Sequence, residues 1–439
     1  MIIIGFGRTD ITPIEPVPLA GYGNSQNRIS REIDYRLFAT CLAFTNEKSA
    51  PVLVYHADLP IPPSVPFKTW LLPRIAEATG VSAEQILVSC THNHSGPALD
   101  DAEKDARIRR YQPLLIERMI EAAKLALADM APAQLQVGSI QTEGLNHVRR
   151  YVLQDGTFAG DNYGHFELSP IACHESEPDR QLQTIKILRE GKQDIILANF
   201  QMHPHRNGGS KKYILSADII GAFREEMEKD GVLFAYFTGG SANVNGNSRI
   251  PEENITPDFI AHGKALADYA RRIEYIPARS GTVDFRTVKI VLPVDHRKDP
   301  LVPACKQIQE KWYTTFQHAD YRSISEPLGI NSVYHAGAIV AKAAMPREIE
   351  MSTWVLSVGD VAFVAVPYEM FDTNGMQIKA GSPFKQTFIL TCTNERFAYI
   401  PSALGFKNGG YSVDQCRFLP GTGEVIAENL IDSLKKMHE

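Results

Sequence analysis

The chain of 439 residues has only six cysteines and no C-x-x-C pair, which excludes a disulfide scaffold and a cysteine-built zinc site. Cys41 and Cys392 lie in apolar runs (FATCLAF, FILTCT) and, like Cys90, read as small buried hydrophobes. No segment approaches the roughly eighteen uninterrupted apolar residues that a spanning helix needs. Basic charge is not in excess: 45 Lys and Arg face 51 Asp and Glu, for a formal net charge of −6. No basic patch therefore argues for nucleic acid or an anionic membrane, and a small-molecule partner is expected. Internal repeats and low-complexity linkers are also missing, which favours one large domain over 1–439 rather than two. The opening Met1-Ile2-Ile3-Ile4-Gly5-Phe6-Gly7 has no basic leader and does not read as a signal peptide, so a cytoplasmic protein is expected. What remains, 44% hydrophobic and 22% charged residues, is an ordinary globular composition.

Strand-like and helix-like segments alternate. Residues 37–45, 51–56, 86–91, 134–139, 182–188, 195–201 and 233–238 read as strands. Amphipathic stretches at 66–79, 103–129 (with Pro113 breaking or restarting it), 218–229 and 257–273 read as helices. Turns are expected at Asp155-Gly156 and Gly160-Asp161-Asn162. Residues 281–292 alternate Val283, Phe285, Val288 and Ile290 as a half-buried antiparallel strand does. Strands 352–357 and 361–366 meet in a hairpin at Gly359-Asp360, followed by a helix at 368–380, a strand at 386–392 and a coil-rich tail. The fold class expected is α/β, a large mixed sheet flanked by helices.

Chemistry-bearing side chains gather just after apolar strands. Ile86–Pro97 (ILVSCTHNHSGP) ends in two histidines one residue apart. On a strand, residues i and i+2 point the same way, so His92 and His94 are expected to face one pocket. Asn199–His205 (NFQMHPH) ends a second strand and is followed by Ser216-Ala217-Asp218 at a helix start. Val366-Pro367-Tyr368-Glu369 ends a third, and Thr393–Ile400 follows a fourth. In open α/β sheets ligands bind where strands end. Two histidines, a glutamate and one further ligand make a catalytic zinc set with a position left for water. Each residue taken alone reads equally as a cap, a turn or a core polar group; Asp218, for one, could simply cap its helix.

These motifs, in order, resemble the neutral ceramidase family, specifically its N-terminal catalytic domain. The series runs Asp10-Ile11-Thr12-Pro13, Gly21-Tyr22, Thr91-His92-Asn93-His94-Ser95-Gly96-Pro97, His203-Pro204, Ser216-Ala217-Asp218 with Gly221, Val366-Pro367-Tyr368-Glu369, Asn394 with Tyr399-Ile400, and Tyr411. The chain ends soon after Tyr411, without room for the Ig-like sandwich of secreted ceramidases. The resemblance implies a neutral-ceramidase-like catalytic domain with Zn2+ held by His92, His203, Glu369 and Tyr399. It places His94 beside the metal as a hydrogen-bonding or proton-transfer group and Tyr411 as a second tyrosine lining the site. It also implies a substrate-binding arginine, Arg149 in the string Asn146-His147-Val148-Arg149-Arg150, with Arg150 as the alternative. One position departs. Where the family's nucleophilic serine is expected, the run Ala242-Asn243-Val244-Asn245-Gly246 has Asn245, and an amide cannot attack a carbonyl; Ser241 is the nearest hydroxyl upstream.

The chemistry left needs no side-chain nucleophile, because zinc lowers the pKa of bound water toward neutrality. The leading expectation is a zinc-dependent hydrolase, of amidase or esterase type, in which metal hydroxide attacks a small substrate. His94 would move the proton, Arg149 or Tyr411 would orient the substrate, and Asn245 would donate a hydrogen bond to the developing oxyanion. Asp58 and Asp218 are candidates for orienting imidazoles. A carbohydrate-directed hydrolase on the same zinc site is the second reading, from polar loops such as Gly405–Tyr411 (GFKNGGY). A metal-stabilised binding protein without turnover is the third. The oligomeric state is open.

Overall fold

The apolar runs become strands in the order their sequence predicts. β1 (Ile2–Asp10) pairs antiparallel along its length with β2 (Phe38–Asn46), which pairs with β3 (Val52–Ala57). β3 continues through helix α1 (Leu72–Thr79) to β4 (Ile86–Cys90), which lies parallel to it. Helix α2 (Ala106–Ala128) leads to β5 (Ala131–Gln141), then β6 (Gln181–Arg189) and β7 (Ile195–Phe200). Helix α3 (Asp218–Glu228) carries the chain from β7 to its parallel neighbour β8 (Leu233–Thr238). Helix α4 (Phe259–Arg271) precedes β9 (Ile276–Ala278), which pairs with β5. The sheet order is β8-β7-β6-β5-β1-β2-β3-β4.

A second sheet follows, ordered β10 (Val283–Pro293), β11 (Glu348–Val358), β12 (Val361–Ala365), β13 (Gln386–Leu390). Between β10 and β11, helices α5 (Val302–Thr315) and α6 (Val333–Ala343) pack on each other through Cys305, Ile308, Ala336 and Ile339. The β11–β12 hairpin turns at Gly359, with φ 58°, and β12 reaches its parallel neighbour β13 through helix α7 (Asp372–Gly381). Helix α8 (Thr422–His438) closes the chain. The computed structural model describes residues 1–22, 25–160, 169–206, 212–279, 281–315 and 323–439.

Period-2 alternation sorts the side chains into layers. Ile4, Phe6, Leu42, Phe44, Val54 and Leu87 face the second sheet, where Trp354, Leu356, Phe363 and Phe388 meet them. Phe363 is central to this interface, its ring 5.6 Å from those of Phe44 and Phe388 and 6.4 Å from that of Phe237. Full burial of such a side chain contributes about 1.5–3 kcal/mol. The alternate residues Cys41, Ala43, Leu53, Tyr55 and Val88 face α1 and α2, whereas Ala198, Phe200, Phe234 and Tyr236 face α3 and α4. On the far side, Val355, Val364 and Ile389 pack on α7 and α8. The result is helix, sheet, sheet, helix, with mixed sheets flanked by helices as expected. At Gly7 an added Cβ would lie 2.1 Å from the Ala122 carbonyl oxygen, so α2 and β1 approach as closely as they do only because that position is glycine.

Three expectations change. The tail is helical: Ile426, Leu430 and Leu434 recur every fourth residue and bury one face of α8 on the second sheet. The helix expected at 368–380 starts only at Asp372, because Glu369–Met370 instead forms a parallel two-residue ladder with Tyr399–Ile400. α2 begins at Ala106, where the Asp105 side chain accepts from the Arg107 backbone and caps it, and Pro113 lies within a continuous helix. The turn expected at Gly160-Asp161-Asn162 lies, from Asp161 on, outside the described residues. All six cysteines are free, and among the described residues no helix is long and apolar enough to cross a membrane.

Candidate functional site

Three strand–helix–strand units, β3-α1-β4, β7-α3-β8 and β12-α7-β13, point the C-terminal ends of their strands at one place. His92 follows β4, His203 follows β7, Glu369 follows β12 and Tyr399 follows β13. The loop from Thr391 is sewn across the other units: Thr391 N–H donates to Thr238 O (3.0 Å) and Thr393 N–H to Val366 O (3.0 Å). The Asn394 carboxamide grips the β4 edge, accepting from Val88 N–H (2.7 Å) and donating to Ile86 O (3.0 Å). His92, Asp218, Cys392, Asn394 and Ala398 all have positive φ. Left-handed backbone at non-glycine residues costs roughly 1–2 kcal/mol each and gathers at functional sites.

His92 and His94 do reach one pocket, but from a loop: β4 ends at Cys90, and the left-handed turn at His92 (φ 65°) sets their directions. Their Nε2 atoms lie 3.2 Å apart. His92 Nδ1 contacts Pro60 O (2.8 Å) and His203 Nδ1 contacts Ser241 O (2.5 Å). A carbonyl only accepts, so both Nδ1 atoms carry protons and both Nε2 atoms present lone pairs. Those lone pairs converge on Glu369 Oε2, at 3.4 Å from His92 and 3.2 Å from His203. Neither His203 Nε2 nor Glu369 Oε2, both buried, completes a hydrogen bond of normal geometry. Two neutral imidazoles oriented by carbonyls, facing a carboxylate with no proton between, fit a divalent cation, which satisfies all three groups at once.

Burial, then Arg149, drives His203 well down; burial, then His205 and His92, does the same to His94. Tyr399 is pushed well up by burial and by Glu369, and its hydroxyl accepts from Arg149 Nη2 at 3.3 Å. Arg149 Nη2 also donates to Ala242 O (2.6 Å). Tyr411 packs edge-on to Tyr399, ring centroids 5.5 Å apart, and burial followed by Glu369 pushes its phenol up to about 12.

His92, His94, Arg149, Glu369, Tyr399 and Tyr411 all line one cavity of about 640 Å³. Arg150 does not join them: it pairs with Glu175 (2.6 Å) and donates to Gly405 O (3.1 Å). Asn245 is 3% exposed, and its Oδ1 accepts from His205 Nε2 at 3.1 Å, so it meets the cavity through that imidazole. Ser241 contributes its carbonyl to His203. Asp58 bonds to Phe38 N–H, His56 and Arg224 rather than to a cavity imidazole, and Asp218 accepts from the backbone of Arg206 and Ile219.

The residue missed from sequence is His205, which stacks on His94 with ring centroids 4.6 Å apart and lines the cavity. Its signal was present, since His203-Pro204-His205 repeats the His-x-His spacing of His92 and His94. Tyr22 stands edge-on to His94 at 5.1 Å, and the preceding Gly21 (φ 107°) comes so near that an added Cβ would lie 2.4 Å from His94 Cβ.

The class defined by fold and site is thus a two-sheet α/β protein with a histidine–carboxylate cluster of metal-binding type at the converging strand ends. No protein-family model matches the chain, and no curated protein does. Among solved structures, it shares its fold with neutral ceramidase from Pseudomonas aeruginosa, at 14% identity and a TM-score of 0.71 over 98% of this chain and 73% of that one. A ceramidase complexed with C2 is similar at 13% identity and a TM-score of 0.71, covering 100% of this chain and 75% of that one. The fold is therefore neutral-ceramidase-like.

Proposed function

We propose that the protein is a metal-dependent hydrolase, with zinc held by His92, His203, Glu369 and Tyr399, acting on an amide or ester bond of a small substrate. The convergence of two carbonyl-anchored imidazoles on one buried carboxylate carries this reading. Bound zinc supplies a Lewis acid and a water that ionises near neutral pH. His94 holds and moves the proton at Nε2; its stack on His205 and the edge of Tyr22 fix the ring. Arg149 and Tyr411, which line the same cavity, orient the substrate. Asn245, at the position where the family resemblance places a serine nucleophile, braces His205, so no acyl-enzyme forms on it. All 439 residues act as one catalytic unit.

The cavity wall adds Ser25, Asp100, Asp101, Arg396 and Gln415. Beside the apolar Ile61, Pro63 and Leu99 of the same wall, these groups offer hydrogen bonds to a hydroxylated acyl acceptor, such as an acylated sugar. The test is elemental analysis of wild type beside His92→Ala, His203→Ala and Glu369→Ala. Zinc in wild type and the loss of one equivalent in each of the three variants is the expected result. A wild type that stays empty after zinc is supplied refutes the site. Turnover of acylated sugars, N-acyl amides and lipids by the loaded protein then separates the substrate classes. Ligand binding without turnover of any of them would leave a metal-stabilised binding protein.

A further inference from the structure

A second cluster of metal-competent side chains lies outside the lining of the cavity. We propose that His147, His174 and Glu253 form a distinct site for a divalent transition metal, which braces the segment carrying Arg149 and Asn245. Glu253 Oε2 lies 2.7 Å from His174 Nε2 and 3.4 Å from His147 Nδ1. One ligand atom from each of the three residues falls within 4.8 Å of the others. The remaining ring nitrogens are committed: His174 Nδ1 to Val148 O, and His147 Nε2 to Gly144 O at 3.3 Å. Both imidazoles are thereby fixed in the tautomer that presents a lone pair to the same carboxylate oxygen. One added proton would serve the His174–Glu253 contact alone and leave His147 facing an acceptor. A divalent cation serves all three.

The frame around the cluster is preorganised. Asn254 ties the loop that carries Glu253, accepting from Ser248 N–H (2.9 Å) and donating to Ser248 O (3.0 Å). Tyr151 covers His174, ring centroids 4.9 Å apart. Side-chain exposure of 34% at Glu253 against 16% at His174 and 9% at His147 gives the cluster one side open to solvent. Ser248 Oγ is 3.4 Å from His174 Nε2, but that nitrogen already faces Glu253. A nucleophilic triad needs serine and acid on opposite ring nitrogens, so the cluster is not one. Two nitrogens and a carboxylate suit zinc, nickel or copper over magnesium or calcium.

His147 and Val148 pair antiparallel with Asn245 and Val244, and the next residue is Arg149. A metal here would clamp that ladder through His147, the partner of Asn245. The test is metal stoichiometry of the full chain equilibrated at buffered micromolar free zinc, in wild type, His174→Ala, Glu253→Gln and His203→Ala. Two equivalents in wild type, and one in each variant, is the expected result. Glu253→Gln keeps the side-chain volume and decides the matter if His174→Ala fails to fold. A wild type with one equivalent that His203→Ala retains and Glu253→Gln loses supports this site and refutes the one proposed above. A zinc content unchanged by Glu253→Gln, whatever its value in wild type, overturns the second site.

Discussion

Replacing Asp58 by alanine should lower both the stability of the protein and its affinity for zinc, although Asp58 touches no cavity imidazole. Its carboxylate is fully buried and accepts from Arg224 Nη1 (2.7 Å) and Phe38 N–H (2.9 Å), with His56 Nε2 at 3.2 Å. Arg224 is itself only 3% exposed. Removing one partner leaves a buried charge uncompensated, a loss of about 3–5 kcal/mol. Unfolding entropy near 2.1 cal/mol/K per residue amounts to roughly 0.9 kcal/mol/K for a chain of 439 residues, so Tm should fall by about 3–5 °C. The zinc effect travels along the backbone. Ala57, Leu59 and Pro60 form a rail on which the histidine loop rests: Thr91 N–H donates to Ala57 O, His92 N–H to Leu59 O and His92 Nδ1–H to Pro60 O. Loosening the groups that orient a ligand typically weakens metal affinity 10–100-fold. Calorimetry of the variant and chelator competition for zinc would read the two effects. Burial opposes the Asp58 charge, but Arg224 and His56 outweigh it and hold the carboxyl below its ordinary range. The stabilisation is therefore present above the unfolded pKa of about 3.8 and lost as pH falls further, so the two proteins should converge in acid. A Tm within about 1 °C of wild type at neutral pH, with unchanged zinc affinity, would refute the argument.

His94→Ala should keep the wild-type zinc content and lose turnover of any substrate found, whereas His203→Ala loses one equivalent of zinc together with turnover; an equivalent lost equally in the two would make His94 a ligand instead. Gly21→Ala forces a side chain into left-handed backbone and against His94, which should cost about 1–3 kcal/mol in chemical denaturation and displace the imidazole; an unchanged denaturation midpoint would contradict the packing described. Burial, then Arg206, pushes the fully buried His262 down to about 3 from 6.5. The folded imidazole thus stays neutral where the unfolded one binds a proton. Stability should fall as pH drops from about 6.5 toward 3, with His262 contributing up to about 1.4 kcal/mol per pH unit. His262→Asn should flatten that slope, as read by urea denaturation at several pH values.

How much of this was legible in the sequence depended on the physical signal each element leaves. Strands such as Ile195–Phe200 and Leu233–Thr238 bury both faces, so they appear as apolar runs and were found nearly residue for residue. The same property hid the division into two sheets. A strand buried on both sides carries no mark of which layer it joins, and Val361–Ala365 looks like a neighbour of Val52–Ala57 when it lies across from it. Helix α8 was missed because the pattern of Ile426, Leu430 and Leu434 is diluted by the polar residues of a surface helix. Glu369 was placed at a helix start, where a carboxylate is locally favourable. The ladder that claims it depends on Ala398 and Tyr399, some thirty residues away, whose backbone receives it at 2.8 Å.

The cavity was more legible than the fold because its residues come from strand ends, where a polar side chain after an apolar run has few structural reasons to be there. That logic marked His92, the run Asn199–His205 and Glu369 before any contact was known, and the resemblance to neutral ceramidases singled out His203 within the run. Neither gave His205 a role, since a second histidine after Pro204 reads as part of the same turn until His94 is seen lying flat on it. Nor did it find His174 or Glu253, which lie on a short strand and a single-turn helix outside the main sheet. Among such segments no periodicity separates a ligand from a surface residue. His147 was in view only because it precedes Arg149, and that adjacency joins the two sites: one short stretch of chain carries a histidine of the second cluster and, two residues on, the arginine of the cavity. If His174 and Glu253 hold metal there, the positions of Arg149 and Asn245 rest on a centre that the cavity never touches.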